Sequence, residues 1–209
     1  VSGRTIVIGD DNMARNPNRS IVIGNENTST DQFSVVIGNT AKATNSNSVV
    51  IGNGASNGGI EGVAIGSAAT VKDGVSWSQA IGSGSLAEGR NSVSLGSQAK
   101  THDYQTVGVG SYTDTYGAGS VALGAGAHTN WRGNPIEQSG YKVDGNLATA
   151  LGYNAQALNK ATATGAYSKA DGTGSVANGF QARAYAQDGV ALGHNSLVGE
   201  NATYGVAIG

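Results

Sequence analysis

Apolar residues in this chain come in short bursts, each ending on a glycine. Ser34-Val35-Val36-Ile37-Gly38, Ser48-Val49-Val50-Ile51-Gly52, Gly62-Val63-Ala64-Ile65-Gly66, Ser120-Val121-Ala122-Leu123-Gly124 and Gly189-Val190-Ala191-Leu192-Gly193 are the clearest, and most closing glycines are 14 residues apart. A fixed period of this kind marks a solenoid, whose repeats stack on their neighbours. One and three residues before the glycine stand Ile, Leu or Val. Branched residues at period two predict a strand. The position between them is Val36, Val50, Ala64, Ala122 or Ala191. This strand therefore has no polar face and is expected to be buried on both sides. Past the glycine, small residues such as Ala41 and Ala43, Ala155 and Ala157, or Ala182 and Ala184 flank a polar one, Lys42, Gln156 or Arg183. That predicts a second short strand, small inside and polar outside.

The expected fold is all-β, a parallel β-roll (solenoid) of ~14-residue coils with two strands each, stacked at the spacing of about 4.8 Å between hydrogen-bonded strands. The first strand leaves one choice open. If Val35 and Ile37, Val49 and Ile51, Val63 and Ile65, Val121 and Leu123, and Val190 and Leu192 fill the coil, then Val36 and its equivalents face out. The assignment can also be reversed, with Val and Ile pointing at a partner chain, and burial of the alanines decides it. Either way an apolar stripe is left over that is larger than a soluble monomer tolerates, so self-association is expected.

Composition narrows the class. The chain has 209 residues, 34 of them glycine, with 2 prolines, no cysteine, 2 Trp, 2 Phe and 12% charged residues. Aromatic residues are too scarce to build an ordinary globular core. The glycines follow no Gly-X-Y period, which excludes collagen. A net charge of −2 gives no reason to expect nucleic acid as a partner. No apolar run approaches a membrane span, so direct membrane insertion is not expected of this segment. Neither end carries an atypical capping repeat, and the chain is expected to be a fragment of a longer protein.

The phrases Asn47-Ser48-Val49-Val50-Ile51-Gly52, Asn91-Ser92-Val93-Ser94-Leu95-Gly96 and Gly119-Ser120-Val121-Ala122-Leu123-Gly124 resemble the head repeats of YadA-like trimeric autotransporter adhesins. The resemblance spans essentially the whole chain and is specific because the phrase recurs in phase. It implies a left-handed roll, a parallel homotrimer, and exposure at the cell surface, on the outer membrane of a Gram-negative bacterium. On that reading residues 1–209 are a single head fragment, with coils over 1–129 and 146–209 and an inserted loop at about 130–145. The function it implies is attachment to host extracellular matrix or cells. The alternative is a rigid spacer in a trimeric surface or phage fibre, with recognition elsewhere.

Candidate contact residues lie where the repeat lapses. The inserted loop holds Trp131, Arg132, Tyr141 and Lys142, residue types that anchor interfaces. It either meets a ligand, braces the trimer, or is simply a tolerated insertion. Two extra residues before Gly82 place Trp77 either over a bulge or standing out from it. Thr162, Thr164, Asn178 and Gln79 replace apolar residues at positions expected to point inward. Each would bond backbone or water inside its coil, or, for Asn178, ring a water or an anion on the threefold axis. Tyr153, Phe180 and His194 form a column interrupted by Ala166, and Lys169 and Arg183 make a small outward basic patch. His102, His128 and His194 occupy three different repeat positions, so stacking does not gather them, and no metal set is visible. No nucleophile elbow, phosphate loop or dinucleotide fingerprint occurs. Neither an enzyme nor a cofactor is expected.

Overall fold

The computed structural model describes residues 4–15, 19–129 and 147–209. The chain forms two compact units, residues 1–100 and 101–209. Each is a stack of two-stranded coils whose strands pair only in parallel. In the first unit, strands Ile6–Ile8, Ile21–Asn25, Val35–Asn39, Val49–Ile51, Val63–Ile65, Gln79–Ile81 and Val93–Leu95 form one sheet, each bonded to the same positions of the next. The two-residue strands Met13–Ala14, Thr28–Ser29, Lys42–Ala43, Ser56–Asn57, Thr70–Val71 and Leu86–Ala87 form the other. The second unit repeats the scheme from Val107–Val109 to Val206–Ile208 and from Asp114–Thr115 to Leu197–Val198. The period-two pattern and the 14-residue beat thus become an all-β parallel solenoid, and no helix occurs among the described residues.

Burial decides which face fills the coil. Val22, Val36, Val50, Ala64, Ala80, Ala122, Ala150, Ala163, Ala177 and Ala191 are all 0% exposed. Val35, Ile37, Val49, Ile51, Val63, Ile65, Val121, Val190 and Leu192 are only half-buried, and Leu123 is exposed. The first of the two assignments, with Val35 and Ile37 inside, is therefore corrected: the middle residue points in and its branched neighbours point out. The physical reason is space. The second strand supplies Ala41 and Ala43, Ala55, Ala69 and Val71, or Ala182 and Ala184 to the same interior. A cross-section two strands wide holds Val and Ala but not a full set of isoleucines.

The same correction moves the polar departures. Thr162 and Thr164 are half-buried and Gln79 and Asn178 exposed, while Ala163, Ala177 and Ala80 occupy the interior beside them. These four side chains sit on the outward face of their strands and do not bond inside their coils. The true polar core residues are others. Asn27 is fully buried and satisfied: its amide donates to Ile23 and Gly38 O at 3.0 and 2.8 Å, and its carbonyl accepts from Ala41 N at 2.9 Å. Ser94 donates to Ala99 O at 2.7 Å.

Volumes trade in some coils, while Ala80 with Ala87, Ala150 with Ala157 and Ala177 with Ala184 place alanine at both inward positions of others. Val36 faces Ala43, whereas Ala64 faces Val71 and Ala191 faces Val198. Gly108 takes the inward position where a Cβ would stand 2.8 Å from Thr115 Oγ1 and 3.1 Å from Thr113 Oγ1. In the first unit a buried serine, Ser20, Ser34, Ser48, Ser78 or Ser92, stands immediately before the longer strand of its coil. Ser34 Oγ donates to Asn45 O and Ser78 Oγ to Gly89 O on the next coil, at 3.2 and 2.8 Å. The closing glycine is required by stacking: at Gly66, φ is +130° and a Cβ would meet Gly82 O at 2.6 Å. The adjoining turns put other residue types at positive φ, among them Thr40 at 55° and Trp77 at 57°.

Candidate functional site

Three surfaces carry chemistry. The first is the outward face of the longer strands. Register aligns Val35, Val49 and Val63 in one column and Ile37, Ile51 and Ile65 in another. Branched side chains thus lie in unbroken rows with only part of their area covered. In the second unit Val121, Leu123, Val190 and Leu192 continue this chemistry, but Thr149, Thr162, Thr164 and Asn178 on three successive strands make a polar interval within it.

The second surface surrounds Trp77. Trp77 is 45% exposed, so it both stands out and covers. Indole Nε1 donates to Glu61 Oε2 at 3.1 Å, and the Arg90 guanidinium lies 4.2 Å from the ring centroid. The two extra residues of this coil are accommodated because Gly58 and Gly59 lie under Asp73 and Val75, leaving no room for a side chain.

The third surface belongs to the second unit. Rings climb one edge of it: Tyr153 meets Tyr167 edge-on at 5.3 Å, Tyr167 meets Phe180 edge-on at 6.0 Å, and Phe180 stacks on His194 at 5.5 Å. The apparent gap at Ala166 is filled by the next residue, Tyr167. Beside this ladder, on the outward face of the short strands, Asn154, Gln156, Tyr167, Gln181, Arg183 and Tyr185 border an open depression of about 290 Å³, together with Lys169. Gln156, Lys169 and Arg183 stand at one register position on successive strands. Lys169 pairs with Asp171 at 3.2 Å and lies 5.6 Å from the Tyr185 ring.

The four loop candidates Trp131, Arg132, Tyr141 and Lys142 lie outside the described residues. Lys169 and Arg183 do come together, as stacking predicted, and Tyr153, Phe180 and His194 share an edge. Tyr167 and Tyr185 escaped the sequence reading. Their signal was available as tyrosines two and six residues past a closing glycine. The histidines stay apart in role as well as position. His102 pairs with Asp114 at 2.7 Å and stacks on Tyr116 at 4.0 Å, and His128 Nδ1 contacts Gly126 O at 3.0 Å. Among the described residues no group of acidic and histidine side chains is placed to hold a metal ion.

Comparison with known proteins fits this geometry. A model of the YadA head domain repeat matches residues 18–41, 32–55, 80–99, 104–130 and 170–196. Among solved structures the chain is similar to the collagen-binding domain of the Yersinia adhesin YadA, at 27% identity over 59% of this chain and 68% of that one, with a TM-score of 0.49. No match was found among curated proteins. With in-phase repeats matched over more than half its length and folded as stacked parallel coils, this chain belongs to the YadA head repeat family of adhesins.

Proposed function

We propose that this chain is the exposed head of a trimeric adhesin on the outer membrane of a Gram-negative bacterium, attaching the cell to host matrix protein or to host cells. The observation that carries the reading is the outward face of Val35, Ile37, Val49, Ile51, Val63 and Ile65. Such rows of half-covered branched residues are larger than single solvated hydrophobics and call for a protein cover. A second and third copy of the same chain supply it with matching chemistry, since the valine and isoleucine columns of the first unit repeat in register over successive coils. Three copies per head and many heads per cell then turn weak contacts into firm attachment. The residues left for recognition are those on the opposite, polar sheet, around Trp77, and in the 130–145 segment, which either meets ligand or braces neighbouring chains. The related Yersinia domain is described as collagen-binding, which puts collagen first among matrix proteins to try.

The test has two parts. Light scattering on the purified chain reads its mass: a stable monomer sinks the trimer. Binding to immobilised collagen, other matrix proteins and whole cells is then measured with and without residues 130–145. Binding to at least one of them is expected, and binding to none favours the spacer role. Loss on deletion assigns the contact to that segment, whereas unchanged binding removes it.

A further inference from the structure

The depression on the second unit has the chemistry of a ligand site. Arg183 is exposed, and its guanidinium makes no hydrogen bond or ion pair among the described residues. The side-chain amides of Asn154, Gln156 and Gln181, and the hydroxyls of Tyr167 and Tyr185, are likewise without hydrogen-bond partners among them. Six polar heads therefore converge on one concavity while committed to nothing but solvent.

The backbone beneath them is hydrogen-bonded from coil to coil. Tyr167 N donates to Tyr153 O at 2.8 Å and Gln181 N to Ala166 O at 3.0 Å, while Lys169 N and Arg183 N are bonded to neighbouring coils at 2.8 and 2.9 Å. A set of groups held on strands and tight turns needs little ordering when a ligand arrives. The volume, about 290 Å³, is at the small end of ligand-sized clefts.

We propose that this groove binds a sulfated segment of a linear glycan. Arg183 is the charge anchor, because a planar guanidinium matches the oxygens of a sulfate in a two-point grip. Lys169, already shared with Asp171, adds field and not a second free cation. Three amides, each offering both donor and acceptor, suit the hydroxyls and substituents of sugar rings. Tyr167 and Tyr185 supply flat faces against which the apolar side of a ring can lie. An acidic peptide fits less well. It would use Arg183 and pair its backbone with the amides, but it has no sugar ring to lie against the Tyr167 and Tyr185 faces. The groove lies on the polar sheet, opposite the branched face that self-association covers, so the two roles do not compete. The proposal rests on this groove and not on the protein-adhesion reading.

The test uses the intact chain with a heparin-derived oligosaccharide, the same oligosaccharide chemically desulfated, and a polyglutamate peptide. The sulfated probe is expected to bind, and to weaken as salt is raised. Arg183→Ala is expected to lower its affinity about tenfold or more, with partial recovery in Arg183→Lys. Tyr167→Ala is expected to lower it about three- to tenfold. Lys42→Ala, at the equivalent register position in a coil of the first unit, is expected to leave it unchanged. All these side chains are at least partly exposed, and circular dichroism verifies that the variants stay folded. No binding of the sulfated probe, or equal binding after Arg183→Ala, overturns the proposal. So does polyglutamate binding of equal strength that ignores Tyr167→Ala, since that would be charge attraction alone. Retained matrix binding in a chain that ignores the glycan would refute the groove and spare the adhesin reading.

Discussion

Ala64 and Val71 occupy the inward positions of one coil, and both are essentially unexposed. Two coils earlier the sizes are reversed, with Val36 opposite Ala43. If the coil interior has a fixed volume, the two positions must be coupled. Val71→Ala removes two methyl groups from a closed interior, worth about 1.6 kcal/mol in transfer and about 2–3 kcal/mol once the cavity is included. Ala64→Val adds the same volume against an unmoved Val71 and costs about 1–3 kcal/mol by overpacking. Independent sites would make the double variant lose the sum, about 3–6 kcal/mol. A shared volume makes it lose under about 1.5 kcal/mol, as volume-conserving swaps do. Thermal unfolding at one fixed protein concentration reads the difference, because an assembling chain has a concentration-dependent midpoint. For a chain of this length, Val71→Ala alone lowers the midpoint by about 4–12 °C, and the double variant recovers most of that. A double variant as unstable as the sum of its parents would show that the coil does not close on a fixed volume.

Further outcomes follow from the same geometry. Gly66→Ala, with φ at +130° and a Cβ 2.6 Å from Gly82 O, should cost at least about 2 kcal/mol in a urea melt, whereas Gly54→Ala, with open space around it, should cost about 1 kcal/mol. Equal losses would mean that stacking does not dictate the glycine. Replacing Ile37 and Ile51 by Asp should abolish self-association in sedimentation while leaving the circular dichroism of a β protein; an unchanged mass would put the interface elsewhere. Arg90→Ala should cost about 0.5–1 kcal/mol and shift the Trp77 fluorescence, since the guanidinium lies over the ring. An unaltered emission spectrum would mean that the pair does not persist in solution.

Much of the site's scaffold was legible because stacking converts sequence offset into spatial neighbourhood. Lys169 and Arg183 share an offset from the closing glycine, so a 14-residue period was enough to place them side by side. Tyr167 was missed because its neighbours Tyr153 and Phe180 sit at a different offset, and the ring contact crosses from one column to the next. The partners of Trp77 were missed for a similar reason. Glu61 and Trp77 share an offset before their closing glycines, Gly66 and Gly82, but Arg90 stands one position further from Gly96, so its contact crosses from one column to the next.

The sequence by itself determined that this is an all-β stack of two-stranded coils, where each strand begins, and why a glycine closes it. Period-two branching, fixed repeat length and a residue without a Cβ are local features, readable one coil at a time. Only the tertiary structure decided which side of the longer strand is the interior. Alternation normally reveals this through polarity, but here both sides are apolar and the cue is silent. Size breaks the tie. The interior is two short strands wide and admits nothing larger than valine among its aliphatics, so Val36, Ala64 and Ala122 go in and Ile37, Ile65 and Leu123 are turned out.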